Sequence, residues 1–148
     1  MKKIFLLFAA VSFMGVGCKS GTGPASTDQM AIIPAPVSLT VQKGSFVFSE
    51  KSRIILQSVN EGTVIAAEFL AQLVKNATGL EIKVGEGTKP SGASVFMTLD
   101  TAIQNSEGYI LTVTPRRITI SAKTPAGLYY AVQTIRQLLP VEVEQQSL

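Results

Sequence analysis

The chain has 148 residues, with 13 Lys and Arg against 10 Asp and Glu, a net charge of +3, one cysteine and no histidine. This length allows one domain with a hydrophobic core but not a barrel of eight strand–helix units. Without histidine, and with a single cysteine, the chain has no Ser–His–Asp triad, no histidine-ligated metal and no internal disulfide, so we expect neither a cofactor nor a metal site.

The first 17 residues have the pattern of an exported precursor. Lys2 and Lys3 precede an apolar run over residues 4–16 that is short for a membrane span. Cys18 stands where a lipoprotein signal is cleaved and the new first residue lipidated, although Gly15 replaces the usual Leu or similar residue. We predict a signal peptide over 1–17 and lipid attachment at Cys18, hence a periplasmic or outer-membrane location in the bacterial envelope. The alternative is an incidental cysteine in an ordinary signal peptide.

Residues 18–31 are rich in Gly, Ser, Thr and Pro and are predicted to form a flexible tether. Without Lys2 and Lys3, 11 basic residues stand against 10 acidic ones, a net charge of about +1. Arg116 and Arg117, the one adjacent basic pair after the signal, fit a solvated hairpin turn. We therefore expect no nucleic-acid partner.

Residues 32–140 are predicted to form the folded domain, in which strands and helices alternate. The first β runs are Ser38–Gln42, Ser45–Phe48 and Arg53–Gln57. A helix over 60–79 follows, capped by Asn60 or Thr63 and ended by Gly79, and strands over 80–85, 94–99 and a hairpin over 107–122 come next. A second helix begins at Thr124, whose hydroxyl is expected to cap it, and ends at Pro140.

Both helices are predicted to be amphipathic. The apolar stripe of the first runs along Ile65, Phe69 and Leu73, with Ala66, Leu70, Val74 and Ala77 beside them. That of the second runs along Leu128, Val132, Ile135 and Leu139. Two such helices and six or seven short strands favour an α+β sandwich with both helices on one face of the sheet. We expect this sheet to be mixed and largely antiparallel.

Carboxylates are the residues left for glycoside chemistry. The candidates are Asp100, Glu107, Glu142 and Glu144. Each lies at a strand or helix edge, where such groups are normally solvated, and nothing gathers them into a pocket. Three tyrosines, Tyr109, Tyr129 and Tyr130, could stack on a sugar ring. Packing in the core or at an interface is the better interpretation for at least two of the three. We assign no catalytic residue.

Three stretches resemble the N-terminal domain of bacterial β-N-acetylhexosaminidases of glycoside hydrolase family 20. They are residues 32–55, 66–84 and 107–140. The last is the most specific, with Glu107-Gly108-Tyr109, Ala126-Gly127, Tyr129-Tyr130, Gln133-Thr134 and Gln137-Leu138-Leu139-Pro140. The resemblance covers nearly all of the chain that follows the tether.

In that family, this sandwich precedes a (β/α)₈ barrel and packs its helices against the barrel's flank. An Asp-Glu pair on the barrel works with the substrate's 2-acetamido group. Neither Asp28 nor Asp100 is followed by Glu, so no catalytic residue is carried over. The resemblance implies an inactive accessory domain of an exo-acting enzyme that removes terminal N-acetylhexosamine from glycans. The chain would then be a truncated precursor in which residues 141–148 begin the linker to the missing barrel.

Other functions remain open at this stage. Equivalent domains precede the barrels of O-GlcNAcases and α-glucuronidases, so the chain could belong to one of those enzymes. A second alternative is a free-standing, lipid-anchored module that binds glycans or a protein. A third is a structural protein without a ligand. A free-standing module should have polar outer helix surfaces, whereas a domain that flanks a barrel should expose an apolar patch. We expect that barrel-facing patch at Ala126, Tyr130 and Ala131.

Overall fold

The computed structural model describes residues 32–41 and 43–139, which form five strands and two helices. In chain order these are β1 Arg53–Leu56, α1 Glu61–Thr78, β2 Lys83–Glu86, β3 Ser94–Leu99, β4 Tyr109–Val113, β5 Arg117–Ala122 and α2 Pro125–Leu138. The predicted signal peptide, lipid site at Cys18, tether, linker and candidate carboxylates Glu142 and Glu144 lie outside the described residues.

The strands form one mixed sheet in the order β2-β1-β3-β5-β4. β1 pairs in parallel with β2 and β3, β3 pairs in parallel with β5, and β4 is antiparallel to β5. The predicted α+β class with a mixed sheet is confirmed, but the prediction of largely antiparallel pairing is wrong. The physical reason is that α1 and the connection over 87–93 carry the chain back along the domain before the next strand begins.

Two predicted β runs form no strand in their described parts, residues 38–41 and 45–48. Phe46 and Phe48 are half-buried against the core, with ring centroids 5.0 Å apart, while Val47 between them is exposed. The two phenylalanine side chains pack this segment against the core, but its backbone does not pair with a strand of the sheet. The described part of the chain therefore has five strands, not six or seven.

The two helices lie side by side on one face of the sheet, as predicted. α1 contacts β1 and β2, α2 contacts β4 and β5, and the helices contact each other. The buried residues that meet between the layers are Ile54, Leu56, Ala66, Leu70, Val74, Val95, Met97, Ile120, Leu128, Ala131, Val132 and Ile135. Burying a side chain such as Leu70 contributes roughly 1.5–3 kcal/mol.

The predicted stripe of α1 is rotated relative to the buried one. Ala66, Leu70 and Val74 are fully buried, whereas Phe69 is half-buried and Ile65 is 53% exposed. The flank that carries Phe69 meets α2 instead of the sheet. The helix thus has a second apolar flank beside its core stripe.

The helix ends follow the sequence signals with one exception. Asn60 Oδ1 accepts a hydrogen bond from Thr63 N and Thr63 Oγ1 accepts one from Asn60 N, both at 3.0 Å, so the two cap candidates form a reciprocal capping box. Gly79 ends α1 with φ +74°. Thr124 is the N-cap residue of α2, but its hydroxyl donates to Ser106 O at 2.6 Å instead of capping the helix.

Candidate docking surface

The outer side of the helix pair carries apolar and aromatic side chains from both helices, four of them exposed and one, Phe69, half-buried. They are Ile65, Phe69, Ala126, Tyr129 and Tyr130, and we call them the helix-layer surface. Tyr130 is 45% exposed. The rings of Phe69 and Tyr129 lie 5.1 Å apart between centroids, so the surface is continuous from α1 to α2.

Two glycines allow the first turn of α2 to pack closely against its neighbours, which fixes the position of the helix-layer surface. A Cβ atom at Gly62 would lie 2.7 Å from Pro125 Cβ, where α2 begins beside α1. A Cβ atom at Gly127 would lie 2.6 Å from Gly108 O and 2.9 Å from Ala122 Cβ. The first turn of α2 is therefore held against both α1 and the ends of β4 and β5.

Two charged residues of α1, Glu68 and Lys75, lie on the flank near β2. Glu68 and Lys75 line a shallow, open groove there together with Glu81 and Val84. Lys75 Nζ and Glu81 Oε1 form an ion pair at 2.7 Å, and the hydrogen bond and positive charge of Lys75 lower the pKa of the Glu81 carboxyl. The five side chains that define the helix-layer surface are themselves uncharged, as is common at the centre of a protein interface.

Ala126 and Tyr130, two of the three predicted barrel-facing residues, are exposed on this surface. Ala131 is completely buried in the domain's own core, because it lies on the sheet-facing stripe of α2, so it is not available to another domain. Sequence reasoning missed Ile65 and Phe69 as surface residues. The available signal was that the apolar residues of α1 span too wide a sector to face one sheet.

The described carboxylate candidates are not brought together. Asp100 Oδ1 accepts a hydrogen bond from Ala102 N at 2.9 Å and shapes a turn, and Glu107 is exposed. Across residues 32–41 and 43–139, no group of three or more His, Cys, Asp or Glu is placed to hold a metal ion. Within the same ranges, no helix has the length and apolar character needed to cross a membrane.

Residues 29–147 match the model of glycosyl hydrolase family 20, domain 2. The chain is 34% identical over 117 residues to a β-hexosaminidase of Porphyromonas gingivalis, covering 78% of this chain and 15% of that protein. It is 33% identical over 112 residues to a β-N-acetylhexosaminidase of Cellulomonas fimi, covering 73% of this chain and 22% of that protein.

Solved structures show the same fold. A family 20 β-N-acetylhexosaminidase from Streptomyces coelicolor A3(2) matches with TM-score 0.68 and 30% identity over 76% of this chain and 22% of that one. A mutant β-hexosaminidase from Streptomyces plicatus matches with TM-score 0.69 and 31% identity over 85% of this chain and 24% of that one. The chain spans only 15% to 24% of these four relatives. With most of its length matched by the family model, the chain belongs to glycosyl hydrolase family 20, of which it carries domain 2.

Proposed function

We propose that this chain is the N-terminal accessory domain of an exo-acting β-N-acetylhexosaminidase and supports a (β/α)₈ catalytic barrel outside these 148 residues. The observation that carries the proposal is that the chain matches only 15% and 22% of the two curated hexosaminidases. The barrel would hold the Asp-Glu pair, and the whole enzyme would remove terminal N-acetylhexosamine from glycans.

The helix-layer surface is the proposed contact with the barrel. Its members are uncharged, Ile65, Tyr129 and Tyr130 are large and exposed, and the rings of Phe69 and Tyr129 are in contact. Covering such residues removes apolar area from water, which favours association by roughly 25 cal/mol per Å² before the costs of ordering. A module that functions alone has no such need for an apolar outer helix surface.

Paired measurements with and without the barrel test this contact. We expect Ile65→Gln and Tyr130→Gln each to lower the melting temperature of the protein that includes the barrel, and to leave that of the 148-residue chain nearly unchanged. Ile110→Thr is the matched control, since Ile110 is 59% exposed but lies on the edge strand β4, on the opposite face of the sheet. Equal effects in both proteins would contradict docking through the helices.

The catalytic part of the proposal has its own tests. The 148-residue chain should release no 4-nitrophenol from 4-nitrophenyl N-acetyl-β-glucosaminide, and clear hydrolysis would refute an accessory role. Sequencing the coding DNA beyond codon 148 should reveal an open frame that encodes an Asp-Glu pair. A stop codon there would instead favour a free-standing binding module.

We also propose that Cys18 is lipidated and holds the protein in the bacterial envelope, in the periplasm or at the outer membrane. The support is the basic start, short apolar run and small residues before Cys18. Radiolabelled palmitate should be incorporated, and Cys18→Ser should abolish the label and release the protein from the membrane fraction. Undiminished labelling of the Ser variant would contradict the assignment.

A further inference from the structure

One edge of the sheet is a strand without any charged residue. β4, Tyr109–Val113, pairs with β5 alone in the described part of the chain, and its sequence contains no charged residue, proline or glycine. The strand at the opposite edge, β2, carries Lys83 and Glu86 and includes Gly85. Charged residues on an edge strand discourage pairing with another chain, so β2 has this protection and β4 does not.

The hairpin of β4 and β5 determines which backbone groups of β4 face outward. Thr114 N donates to Arg117 O at 2.9 Å, and Arg117 N donates to Thr114 O at 3.3 Å. Because such doubly bonded positions alternate along an antiparallel pair, every second residue of β4 has its N–H and C=O groups on the free edge. These residues are Tyr109, Leu111 and Val113. Within residues 32–41 and 43–139, no hydrogen bond is made by these outward groups.

A second copy of β4 can satisfy all of these outward groups at once. When two copies pair antiparallel about a two-fold axis at Leu111, Leu111 lies opposite Leu111 of the second copy, and Tyr109 lies opposite Val113. Each of these pairs exchanges two backbone hydrogen bonds. On the helix-free face, Ile110 lies opposite Thr112. These aromatic, aliphatic and β-branched side chains are the types that stabilise strand pairs.

The same register brings opposite charges together at both ends of the strand pair. Glu107 precedes β4 and Arg116 lies in the turn that follows it, and both are exposed. In the part of the chain that the structure describes, neither side chain forms an ion pair or a hydrogen bond. Pairing about Leu111 places Glu107 opposite Pro115 of the second copy, directly beside Arg116. The two-fold axis repeats this complementary contact at the other end.

The flank of α2 above β4 fits the same contact. α2 contacts both β4 and β5, and its Thr134 is bonded to Tyr109 of the edge strand. Leu138, one helical turn after Thr134, lies on the same flank and is 38% exposed. Since neighbouring strands are about 4.8 Å apart, the α2 helices of the two copies would lie roughly 10 Å apart, a distance at which helices pack. Pairing of β4 therefore also covers Leu138.

We propose that the β4 edge joins two copies of this chain into a two-fold dimer with one continuous sheet. A second copy is the partner because it satisfies the outward backbone groups and also pairs Glu107 with Arg116, whereas an unrelated extended peptide satisfies the backbone groups alone. One strand and one helix flank from each copy make a small interface, so the dimer should dissociate reversibly on dilution. The helix-layer surface lies on the outer side of the helices and stays available to the barrel.

Analytical ultracentrifugation of the purified chain tests the proposal, with a reductant present so that Cys18 forms no disulfide. We expect a reversible equilibrium of monomer and dimer at protein concentrations up to about 1 mM. Thr112→Lys places a positive charge at the edge, opposite Ile110, and should weaken dimerisation by about tenfold or more. Thr119→Lys is the matched control, because Thr119 pairs with Thr112 but lies one strand further in. It should change the dimer dissociation constant by less than about threefold.

A charge exchange tests the register itself. Glu107→Arg and Arg116→Glu should each weaken self-association about tenfold, because like charges then meet at both ends of the strand pair. An equimolar mixture of the two variants should dimerise within about threefold of the original protein, since both contacts in the mixed dimer are again complementary. A chain that stays monomeric throughout would overturn the proposal, and so would a mixture no stronger than its components. A dimer abolished by Ile65→Gln but unchanged by Thr112→Lys would also overturn it and would place the contact on the helix-layer surface.

Discussion

The hydroxyl oxygens of Tyr109 and Thr134 lie 2.6 Å apart, which joins the edge strand β4 to the middle of helix α2. Thr134 is buried and Tyr109 is packed against the core. In the described part of the chain, β4 pairs on one side only, with β5. This hydrogen bond therefore gives the edge strand a second attachment, directly to the helix layer.

Removing that bond should weaken the domain. Tyr109→Phe leaves the buried Thr134 hydroxyl without its partner, so we expect the free energy of unfolding to fall by roughly 1–2 kcal/mol in urea denaturation. Tyr130→Phe is the control, because that side chain is exposed on the outer side of the same helix. Equal losses for the two variants would show that the bond between Tyr109 and Thr134 contributes no stability.

Gly127 should not tolerate a methyl group. In Gly127→Ala the new Cβ would lie 2.6 Å from Gly108 O, a backbone atom that cannot move aside easily. We expect a loss of roughly 1–3 kcal/mol from overpacking, larger than the 0.5–1 kcal/mol that alanine gains in a helix. Gly85→Ala should be nearly neutral, because a Cβ atom added at Gly85 would have no neighbour within 4 Å. A stabilised Gly127→Ala protein would refute the close approach.

The position of the segment before β1 should depend on its hydrogen bonds to the Gln137 side chain. Ile33 N donates to Gln137 Oε1 at 2.8 Å and Gln137 Nε2 donates to Ile33 O at 2.9 Å, which ties this segment to the end of α2. We expect Gln137→Ala to speed hydrogen exchange at the Ile33 amide about tenfold, because local opening no longer breaks two hydrogen bonds. Gln133→Ala, one turn earlier on the helix, should leave that rate unchanged. Similar rates in both variants would show that Gln137 does not hold the segment.

Glu81 should titrate below its ordinary range. Its pKa is lowered by the hydrogen bond and the charge of Lys75, so Lys75→Gln should raise it in an NMR titration, whereas Lys123→Gln should not. A lowered carboxyl pKa contributes stability above the unfolded-state value of about 4.3, and this is lost as pH falls through the folded-state pKa. Because both side chains are exposed, the change in stability should be small and the titration is the decisive readout. An unshifted Glu81 in the original protein would contradict the ion pair.

The positions of the helix ends could largely be predicted from local residue signals. Asn60, Thr63, Gly79 and Pro125 act through the backbone of their own turn, so their effect can be recognised without knowing the rest of the fold. The stripe of α2 was likewise predictable, because one apolar face meets one sheet. Membership of the family followed from phrases of the same local kind, above all residues 107–140.

Strand direction, the outer surface of the helix pair and the pairing of distant residues depend on the tertiary structure. A strand of four to six residues has the same alternation in parallel and antiparallel pairs, so the pattern of β1 or β3 carried no sign of its partner. The position of α2 decided that Phe69 meets a helix and that Ile65 stays exposed. Arg53 and Arg117 are far apart in the chain, and only the register of β1, β3 and β5 places them on either side of Ser94.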